Sequence, residues 1–327
     1  MYPSLQLLFL SLTLQTPARD NARPALVFVS NELARTVTVI DRDGARVVAT
    51  IPVPGRPRGI AVSPDGRSVF VALSDTLRQT AGPSDAIVAI DLRTRAIAYR
   101  LPAGTDPEQF AISRDGRWIY VANEDAGTTT AIDLLNRRIT ARLVVGIEPE
   151  GVGISPDGRW AYVTAETSNS VSVIDMRSQK VAANFLVPAR PRAVAFSSDS
   201  RTAYVTSEIG RALTIVDVAQ HAPVASIAID DSAAKPVGVV LSPNGERAYV
   251  ATGRGNSIVV IDLHTRRVLT RIPVGQRPWG LAITPDGRTL YTANGLSGDV
   301  SVIDAASQRV TATITAGAGT WGVAVTP

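Results

Sequence analysis

Short segments that alternate apolar and polar residues recur along the whole chain and are separated by turn-forming residues. Residues 151–187 contain one complete unit. This unit predicts four strands, at 151–154, 161–164, 171–174 and 181–187, because period-2 alternation is typical of a strand with one buried face. A Ser-Pro-Asp-Gly segment between the first two strands predicts a tight turn. No segment after the N-terminal leader shows a sustained helical period, so we predict no helix there.

The same unit occurs seven times. Its third strand ends in an aspartate, and in four of the six steps between successive aspartates the spacing is 42 residues. The seven residues are Asp41, Asp91, Asp133, Asp175, Asp217, Asp262 and Asp304. An aromatic residue of the second strand precedes each of them, from Phe28 in the first repeat to Tyr291 in the last. A fixed period of this length indicates a propeller or a solenoid.

A four-stranded unit of this size cannot bury both of its faces alone. Radial stacking buries each face against the next unit and leaves only short edges, so we predict an all-β, seven-bladed β-propeller of four-stranded antiparallel blades. An open β-solenoid is the weaker alternative. The first repeat begins at Ala25 with its second strand, and residues 321–325 have the pattern of the missing first strand. The C-terminal strand should therefore complete the N-terminal blade, with residues 23–327 forming one domain.

The Y-V-x-N pattern of the second strand, at residues 120–123 and in the related residues 291–294, occurs together with Ser-Pro-Asp-Gly-Arg turns. These features resemble the YVTN family of seven-bladed β-propellers. Further segments resemble the β-propeller proteins associated with pyrroloquinoline-quinone (PQQ)-dependent catabolism; they are residues 104–113, 148–151, 189–192, 206–210 and 274–279. The resemblance covers residues 25–327 and implies a propeller that serves quinone-linked alcohol oxidation.

Residues 1–22 differ from the repeats. An apolar run from Leu5 to Leu14 is followed by the small-residue segment Thr16-Pro17-Ala18. This order resembles a secretory signal peptide, although no Lys or Arg lies between Met1 and Leu5. We therefore expect a periplasmic or secreted protein, and the alternative is a disordered or misassigned start. The body of the chain has no apolar run of 18 residues, so no membrane span is expected.

Composition narrows the choice of partner and cofactor. The chain carries a formal net charge of +4 and no cysteine. Its basic residues recur in every repeat without forming a stripe, so nucleic acid is not an expected partner. The absence of cysteine excludes a disulfide and a Cys-x-x-Cys-His haem attachment. We expect a monomer without a cofactor.

Two insertions interrupt the repeat, between Leu73 and Ala86 and near residues 230–235. Both fall in loops on one face of the predicted ring, which we call the top face. Inserted loops on one face of a repeat array often mark the binding face.

Three sets of equivalent top-face positions differ in chemistry from blade to blade. The first ring, just after the proline that opens the first strand or its substitute, is Arg58, Glu108, Glu150, Arg192, Val237, Trp279 and Trp321. The pre-proline set, two residues earlier, is Arg56, Asp106, Glu148, Arg190, Lys235, Arg277 and Gly319. The second ring, four residues after the aromatic, is Glu32, Ser74, Glu124, Glu166, Glu208, Gly253 and Gly295. A purely structural loop does not need this variety.

The first interpretation of these rings is a binding site for a small molecule or a protein at the mouth of the axial channel. Its candidate residues are Arg58, Glu108, Glu150, Arg192, Trp279, Trp321, Glu124, Glu166 and Glu208. The tryptophans would offer an apolar platform and the arginines forked donors, which suits a planar or apolar anion. The structural alternative is that Arg–Glu pairs merely close the channel mouth.

A catalytic interpretation rests on carboxylates alone. Oxygen ligands from Glu108, Glu150, Glu124 and Glu166, together with Asn123, could hold Ca²⁺ in a metal-assisted lactonase or related hydrolase. The two histidines, His221 and His264, follow the third strands of their repeats and should lie on the opposite face. A catalytic triad or a histidine-ligated haem is therefore disfavoured. We assign no catalytic residue and no metal ligand, and regard binding as the leading function.

Overall fold

The structure, a computed structural model, describes residues 25–75 and 85–327. Within these ranges the chain forms seven sheets of four antiparallel strands, and its one helical element is a 3-10 turn at Gly253–Gly255. The predicted all-β, seven-bladed propeller is confirmed. The predicted leader, residues 1–22, and the centre of the first predicted insertion, residues 76–84, lie outside the described residues.

The strands are numbered in chain order. They are β1 Leu26–Asn31, β2 Thr36–Asp41, β3 Arg46–Pro52, β4 Arg56–Val62, β5 Ser68–Ser74, β6 Ala86–Asp91, β7 Ala96–Pro102, β8 Pro107–Ile112, β9 Trp118–Asn123, β10 Thr128–Asp133, β11 Arg138–Val144, β12 Pro149–Ile154, β13 Trp160–Ala165, β14 Ser170–Asp175, β15 Lys180–Leu186, β16 Pro191–Phe196, β17 Thr202–Ser207, β18 Ala212–Asp217, β19 Ala222–Ala228, β20 Val239–Leu241, β21 Arg247–Ala251, β22 Ser257–Asp262, β23 Arg267–Pro273, β24 Pro278–Ile283, β25 Thr289–Asn294, β26 Asp299–Asp304, β27 Arg309–Thr315 and β28 Thr320–Val325.

Blade 1 consists of β28 and β1–β3, and blades 2 to 7 take four consecutive strands each, from β4–β7 to β24–β27. The first strands of neighbouring blades contact one another around the whole ring, so they line the central axis. β20, which follows the second insertion, is the shortest of them. No helix among the described residues is long and apolar enough to span a bilayer.

The core lies between blades rather than within any one of them. Tyr120 of blade 3 is fully buried in a cluster with Ala161, Val163 and Ile174 of blade 4. Phe28 of blade 1 packs in the same way with Val69 and other residues of blade 2. Each blade therefore depends on its neighbours for burial of its apolar faces, which is why a repeat of this kind needs a closed ring.

The recurrent aspartates serve the turns on the bottom face. The backbone N–H of Ser307 donates to Asp304 Oδ1 at 2.7 Å, and equivalent bonds form in blades 2 to 6. In blade 1 the donor is the backbone N–H of Asp43, which lies 3.3 Å from Asp41 Oδ1. Four residues after each aspartate the backbone takes a left-handed conformation without glycine, as at Gln308 with φ 57°. Such a conformation is unfavourable for residues with a Cβ, so the side-chain bonds to the turn offset part of this strain.

The ring closes through β28. Val27 lies opposite Val325 and Phe28 opposite Ala324 in an antiparallel pair, and the backbone N–H of Leu26 donates to Thr326 Oγ1 at 3.0 Å. Residues from both ends of the chain therefore build blade 1, as the sequence predicts. Trp321 and Val323 are buried in this arrangement, so β28 supplies apolar packing as well as backbone hydrogen bonds.

Deletion of residues 319–327 should destabilise the protein severely. The deletion exposes the edge of β1 and removes the partner against which blades 2 and 7 pack, so the loss should approach the roughly 5–15 kcal/mol by which domains are stable. We expect the thermal unfolding midpoint to fall by on the order of 10 °C or more. A control lacking Pro327 alone should melt like the full chain. An unchanged midpoint in the longer deletion would contradict closure by β28.

Candidate functional site

The first ring sits on a recurrent irregularity of the innermost strands. In blade 4, Pro149 pairs with Ala165 and the next pair is Val152 with Val163, so the register shifts between them. Glu150 lies at this bulge, and Arg58, Glu108, Arg192, Trp279 and Trp321 occupy the same position in their blades. A bulge redirects a side chain out of the regular alternation, and here it separates the first ring from the rest of the strand.

Glycines after the first-ring positions hold the innermost strands close together. A Cβ on Gly151 would lie 2.0 Å from the carbonyl oxygen of Arg192, and one on Gly238 would lie 2.4 Å from that of Trp279. Gly59, Gly280 and Gly322 meet the next blade in the same way. Glycine is required at these positions because no side chain fits between the neighbouring backbones.

Hydroxyl groups of the second strands reinforce this contact. Thr164 Oγ1 accepts a bond from Gly151 N–H at 2.9 Å and donates to the carbonyl of Arg192 at 2.9 Å. Ser30 bridges Gly322 and the carbonyl of Arg58 similarly. The hydroxyls thus fix the backbone of two first-ring arginines from within the neighbouring blade.

Four residues of the pre-proline set are held in a strained backbone conformation. Asp106, Glu148, Arg190 and Arg277 have φ between 50° and 61° and each directly precedes a proline. Their carbonyls accept bonds from the second ring, as in Glu166 N–H to Glu148 O at 2.9 Å and Gly295 N–H to Arg277 O at 2.9 Å. Left-handed backbone at residues with a Cβ is unfavourable, and its recurrence at a channel mouth motivates a functional interpretation.

Arg58 is surrounded by carboxylates from the blades on both sides. Its guanidinium forms an ion pair with Glu108 and lies 3.2 Å from Glu32 and 3.6 Å from Glu124. Arg56 adds contacts of 3.1 Å with Glu32 and 3.4 Å with Asp106. Glu108 is almost fully buried. We call the six residues named here the Arg58 cluster; within it each arginine contacts at least two carboxylates of this chain.

Arg192 forms the centre of a second group. It contacts Glu150 at 3.0 Å and Glu208 at 2.7 Å and forms a further ion pair with Glu166. Arg190 bridges Glu166 at 2.5 Å and Glu208 at 3.3 Å. We call these five residues the Arg192 cluster. Burial alone would lower the pKa of the Arg192 guanidinium, but the three carboxylates outweigh it and raise that pKa.

The charges of Glu108 and Glu150 are compensated separately, because Glu108 pairs with Arg58 and Glu150 pairs with Arg192. Glu124 and Glu166 are less well compensated. Burial, followed by repulsion from Glu150, raises the pKa of each to about 7. Both carboxyls therefore take up protons near neutral pH.

Trp279 and Trp321 lie side by side across the mouth from most of these acids. Their ring centroids are 6.0 Å apart with an interplanar angle of 44°. The guanidinium carbons of Arg192 and Arg277 lie 5.2 and 5.0 Å from the Trp279 ring centroid. Cation–π contacts at this distance are stabilising, so part of the expected aromatic platform is covered by arginine.

A cavity of about 400 Å³ opens at the mouth and includes residues of both clusters and both tryptophans. Its apolar wall is completed by Leu33 and Leu296, which are 73% and 68% exposed. A smaller cavity of about 170 Å³ continues down the axis and shares Glu150, Arg192, Trp279 and Trp321 with the mouth. These four residues therefore line both the mouth and the channel below it.

The structure brings eight of the nine predicted site residues to this cavity, and the ninth, Glu208, contacts the arginines that line it. Sequence reasoning did not select Glu32, Arg56, Asp106, Arg190 and Arg277, although each occupies a ring or pre-proline position. The signal that could have found them was the grouping of acids in blades 3 and 4 between arginines of blades 2 and 5. Arg58 and Arg192 were expected to offer their donors to a ligand, but they face carboxylates of the chain itself.

Asn123 was expected among possible calcium ligands, and the structure places it elsewhere. Its side chain is fully buried inside blade 3, donates to Thr130 Oγ1 at 2.8 Å and packs against Gly104. A different trio, Asp106, Glu108 and Glu124, has carboxylate oxygens within 4.8 Å of one another. Arg56 and Arg58 already contact this trio, so any cation there would compete with two guanidinium groups.

Both histidines lie on the bottom face, as predicted. His221 follows β18, and its Nδ1 is 2.7 Å from the Tyr162 hydroxyl; His264 follows β22. Among the residues that the structure describes, those that line the mouth cavity include no His, Cys, Met or Tyr. This described lining therefore offers no axial ligand of the usual kind to a haem iron.

Comparison with known families adds two partial matches. The family described as "Cytochrome D1 heme domain" matches residues 107–212, and "Lactonase, 7-bladed beta-propeller" matches residues 188–320. Each match covers less than half of the chain. No curated protein matches the chain.

Solved structures share the fold at low sequence identity. Hydrazine synthase from Kuenenia stuttgartiensis aligns at 22% identity and a TM-score of 0.76, over 90% of this chain and 99% of that one. A proposed 6-phosphogluconolactonase from Bacteroides fragilis aligns at 16% identity and a TM-score of 0.76, over 95% of this chain and 100% of that one. Dihydro-heme d1 dehydrogenase NirN, in complex with DHE, aligns at 19% identity and a TM-score of 0.69, over 95% of this chain and 77% of that one. These likenesses show the seven-bladed propeller fold.

The Glu124 carboxyl should make stability depend on pH. Its pKa of about 7 lies above the ordinary value of 4.5, so protonation favours the folded state. The stabilisation is complete below about pH 4.5 and is lost as pH rises through about 7. Glu124→Gln should remove this component and raise the melting midpoint more at pH 8 than at pH 5. Glu246→Gln, an exposed change on the opposite face, should leave the pH dependence of the melting midpoint unaltered. Parallel melting curves for Glu124→Gln and the unaltered protein across this range would refute the assignment.

Proposed function

We propose that this protein is a binding module that holds a small, flat organic molecule at the mouth of its axial channel. The observation that carries the proposal is the asymmetry of the mouth cavity. One side consists of the Arg58 and Arg192 clusters, whose charges largely compensate one another. The other side consists of Trp279, Trp321, Leu33 and Leu296, where the second ring contributes Gly295 in place of a glutamate. A mostly apolar wall with a few fixed polar groups is typical of ligand pockets.

The resemblance of the repeats to PQQ-associated propellers supports a role in quinone-linked oxidation, and a quinone is a flat molecule of the required kind. The apolar run before residue 22 supports export to the periplasm or beyond. The partially matching families and the dihydro-heme d1 dehydrogenase likeness support small-molecule chemistry at a propeller face. Since fold alone does not determine function, the ligand must be tested at the mouth residues themselves.

A quinone probe tests the binding site directly. In a Trp118→Phe, Trp160→Phe background the remaining tryptophans are Trp279 and Trp321, so their fluorescence reports the mouth. We expect 1,4-naphthoquinone to quench it saturably. Gly295→Gln, which places a side chain in the cavity, should raise the dissociation constant at least about tenfold, equivalent to roughly 1.4 kcal/mol. Thr313→Gln, on the exposed outer strand of the same blade, should leave binding unchanged. Quenching that never saturates would refute the site.

The second candidate is a metal-assisted lactonase. It is favoured by the Asp106–Glu108–Glu124 trio and by the lactonase match over residues 188–320. Oxygen-rich sites of this kind suit Ca²⁺. The ion pairs of Arg56 and Arg58 with the same carboxylates weigh against it, because two guanidinium groups already compensate the negative charge that a calcium ion would compensate.

Metal content separates the two candidates. As a binding module the purified protein should contain no stoichiometric calcium by elemental analysis. Its melting midpoint should be the same in a chelator and in millimolar calcium, and it should not hydrolyse 6-phosphogluconolactone above background. Stoichiometric calcium, together with lactone hydrolysis that is lost in Glu124→Gln, would establish the lactonase instead.

A further inference from the structure

The bases of the top face differ in how completely carboxylates of the chain occupy them. Arg56, Arg58, Arg190 and Arg192 each contact at least two carboxylates. Arg277 and Lys235 have no carboxylate within 4.0 Å among residues 25–75 and 85–327. Of these two, only Arg277 lines the mouth cavity.

The repeat explains why Arg277 is left without an acid. Arg190, the equivalent pre-proline residue of blade 5, takes both of its carboxylates from the second ring, Glu166 of blade 4 and Glu208 of its own blade 5. The corresponding positions around Arg277 are Gly253 of blade 6 and Gly295 of its own blade 7. The Arg277 guanidinium therefore lacks the two second-ring carboxylates that the Arg190 guanidinium contacts.

The backbone of Arg277 is fixed while its guanidinium is exposed. Its N–H donates to Asn256 Oδ1 at 2.9 Å, and its carbonyl accepts from Gly295 N–H at 2.9 Å. Its φ of 57° keeps it in the left-handed region. The guanidinium carbon lies 5.0 Å from the Trp279 ring centroid, which orients the side chain over the apolar wall.

We propose that Arg277 is the anion-recognising residue of the mouth, and that its ligand is an aromatic or quinonoid carboxylate. The inference rests on the proposed binding function and names its ligand class. The flat body lies against Trp279, Trp321 and Leu296, and the carboxylate accepts paired N–H bonds from Arg277. A guanidinium presents parallel donors suited to this geometry. Arg58 and Arg192, in contrast, hold the rings together and are not available to the ligand.

A matched pair of probes isolates the charge. 2-Naphthoate and 2-naphthamide share the same flat body and differ in the anionic group. By isothermal titration calorimetry, naphthoate should bind the unaltered protein at least about fivefold more tightly than naphthamide. Arg277→Gln, which keeps much of the side-chain length, should weaken naphthoate at least about tenfold and change naphthamide less than about threefold. Arg277→Lys should restore part of the naphthoate affinity, since it returns a charge without the fork.

Lys235→Gln is the matched control, because it removes an equal charge from the adjacent blade outside the cavity. It should change neither probe by more than about twofold. A comparable loss of naphthoate affinity in Lys235→Gln would show that the positive charge of the top face in general, and not Arg277 in particular, attracts the anion, and would overturn the inference. Equal binding of the two probes to the unaltered protein, or an equal loss of both in Arg277→Gln, would also overturn it while leaving the flat-ligand site intact. Failure of both probes to bind would remove the proposed function and this inference together.

Discussion

The close approach of the seven innermost strands is the constraint on which the rest of the structure depends. Five glycines that directly follow first-ring positions stand where any Cβ would meet the carbonyl oxygen of the next blade at less than 3 Å. These carbonyls belong to first-ring residues. The contact that closes the ring therefore also fixes the backbone positions of Arg58, Glu108, Arg192, Trp279 and Trp321. The Ser and Thr hydroxyls of the second strands then tie neighbouring blades at the same point. The mouth is therefore rigid at its backbone, and its variation is confined to side chains.

Within that rigid frame, charge compensation decides which part of the mouth remains open. Buried carboxylates are unfavourable unless they are paired, and Arg58 and Arg192 supply the pairing for Glu108, Glu150 and Glu166. The structural interpretation of the rings therefore applies to one sector of the mouth, and the proposed binding function concerns the other sector. The top-face arginines of blades 2 and 5 pair with carboxylates of blades 1, 3, 4 and 5. Blades 6 and 7, where the second ring is glycine, leave Trp279 and Arg277 facing the cavity.

The sequence was sufficient to predict the blade count, the strands, the closure by β28 and the convergence of the two rings, because these follow from the period and from the position of each residue within it. It could not predict the partner of each charge. Arg58 contacts acids of blades 1 and 3, whereas Arg192 contacts acids of blades 4 and 5, so equivalent positions pair in different directions. Side-chain direction across blades is set by the bulge and by local burial. Local packing also places the Asn123 side chain in the interior of its blade, and not among the expected metal ligands.

The two sectors of the mouth also differ in how they respond to protons. Glu124 and Glu166 change charge near pH 7, while arginine remains charged at every physiological pH. Protonation of these acids makes the mouth less negative without altering Arg277. An anion held in the aromatic sector would then bind more tightly below neutral pH, and by linkage its binding would raise the proton affinity of Glu124 and Glu166. A ligand that is neutral would show little of this coupling. The acid-rich half of the ring would thus act on an anionic ligand through its field, even though its own arginines are occupied.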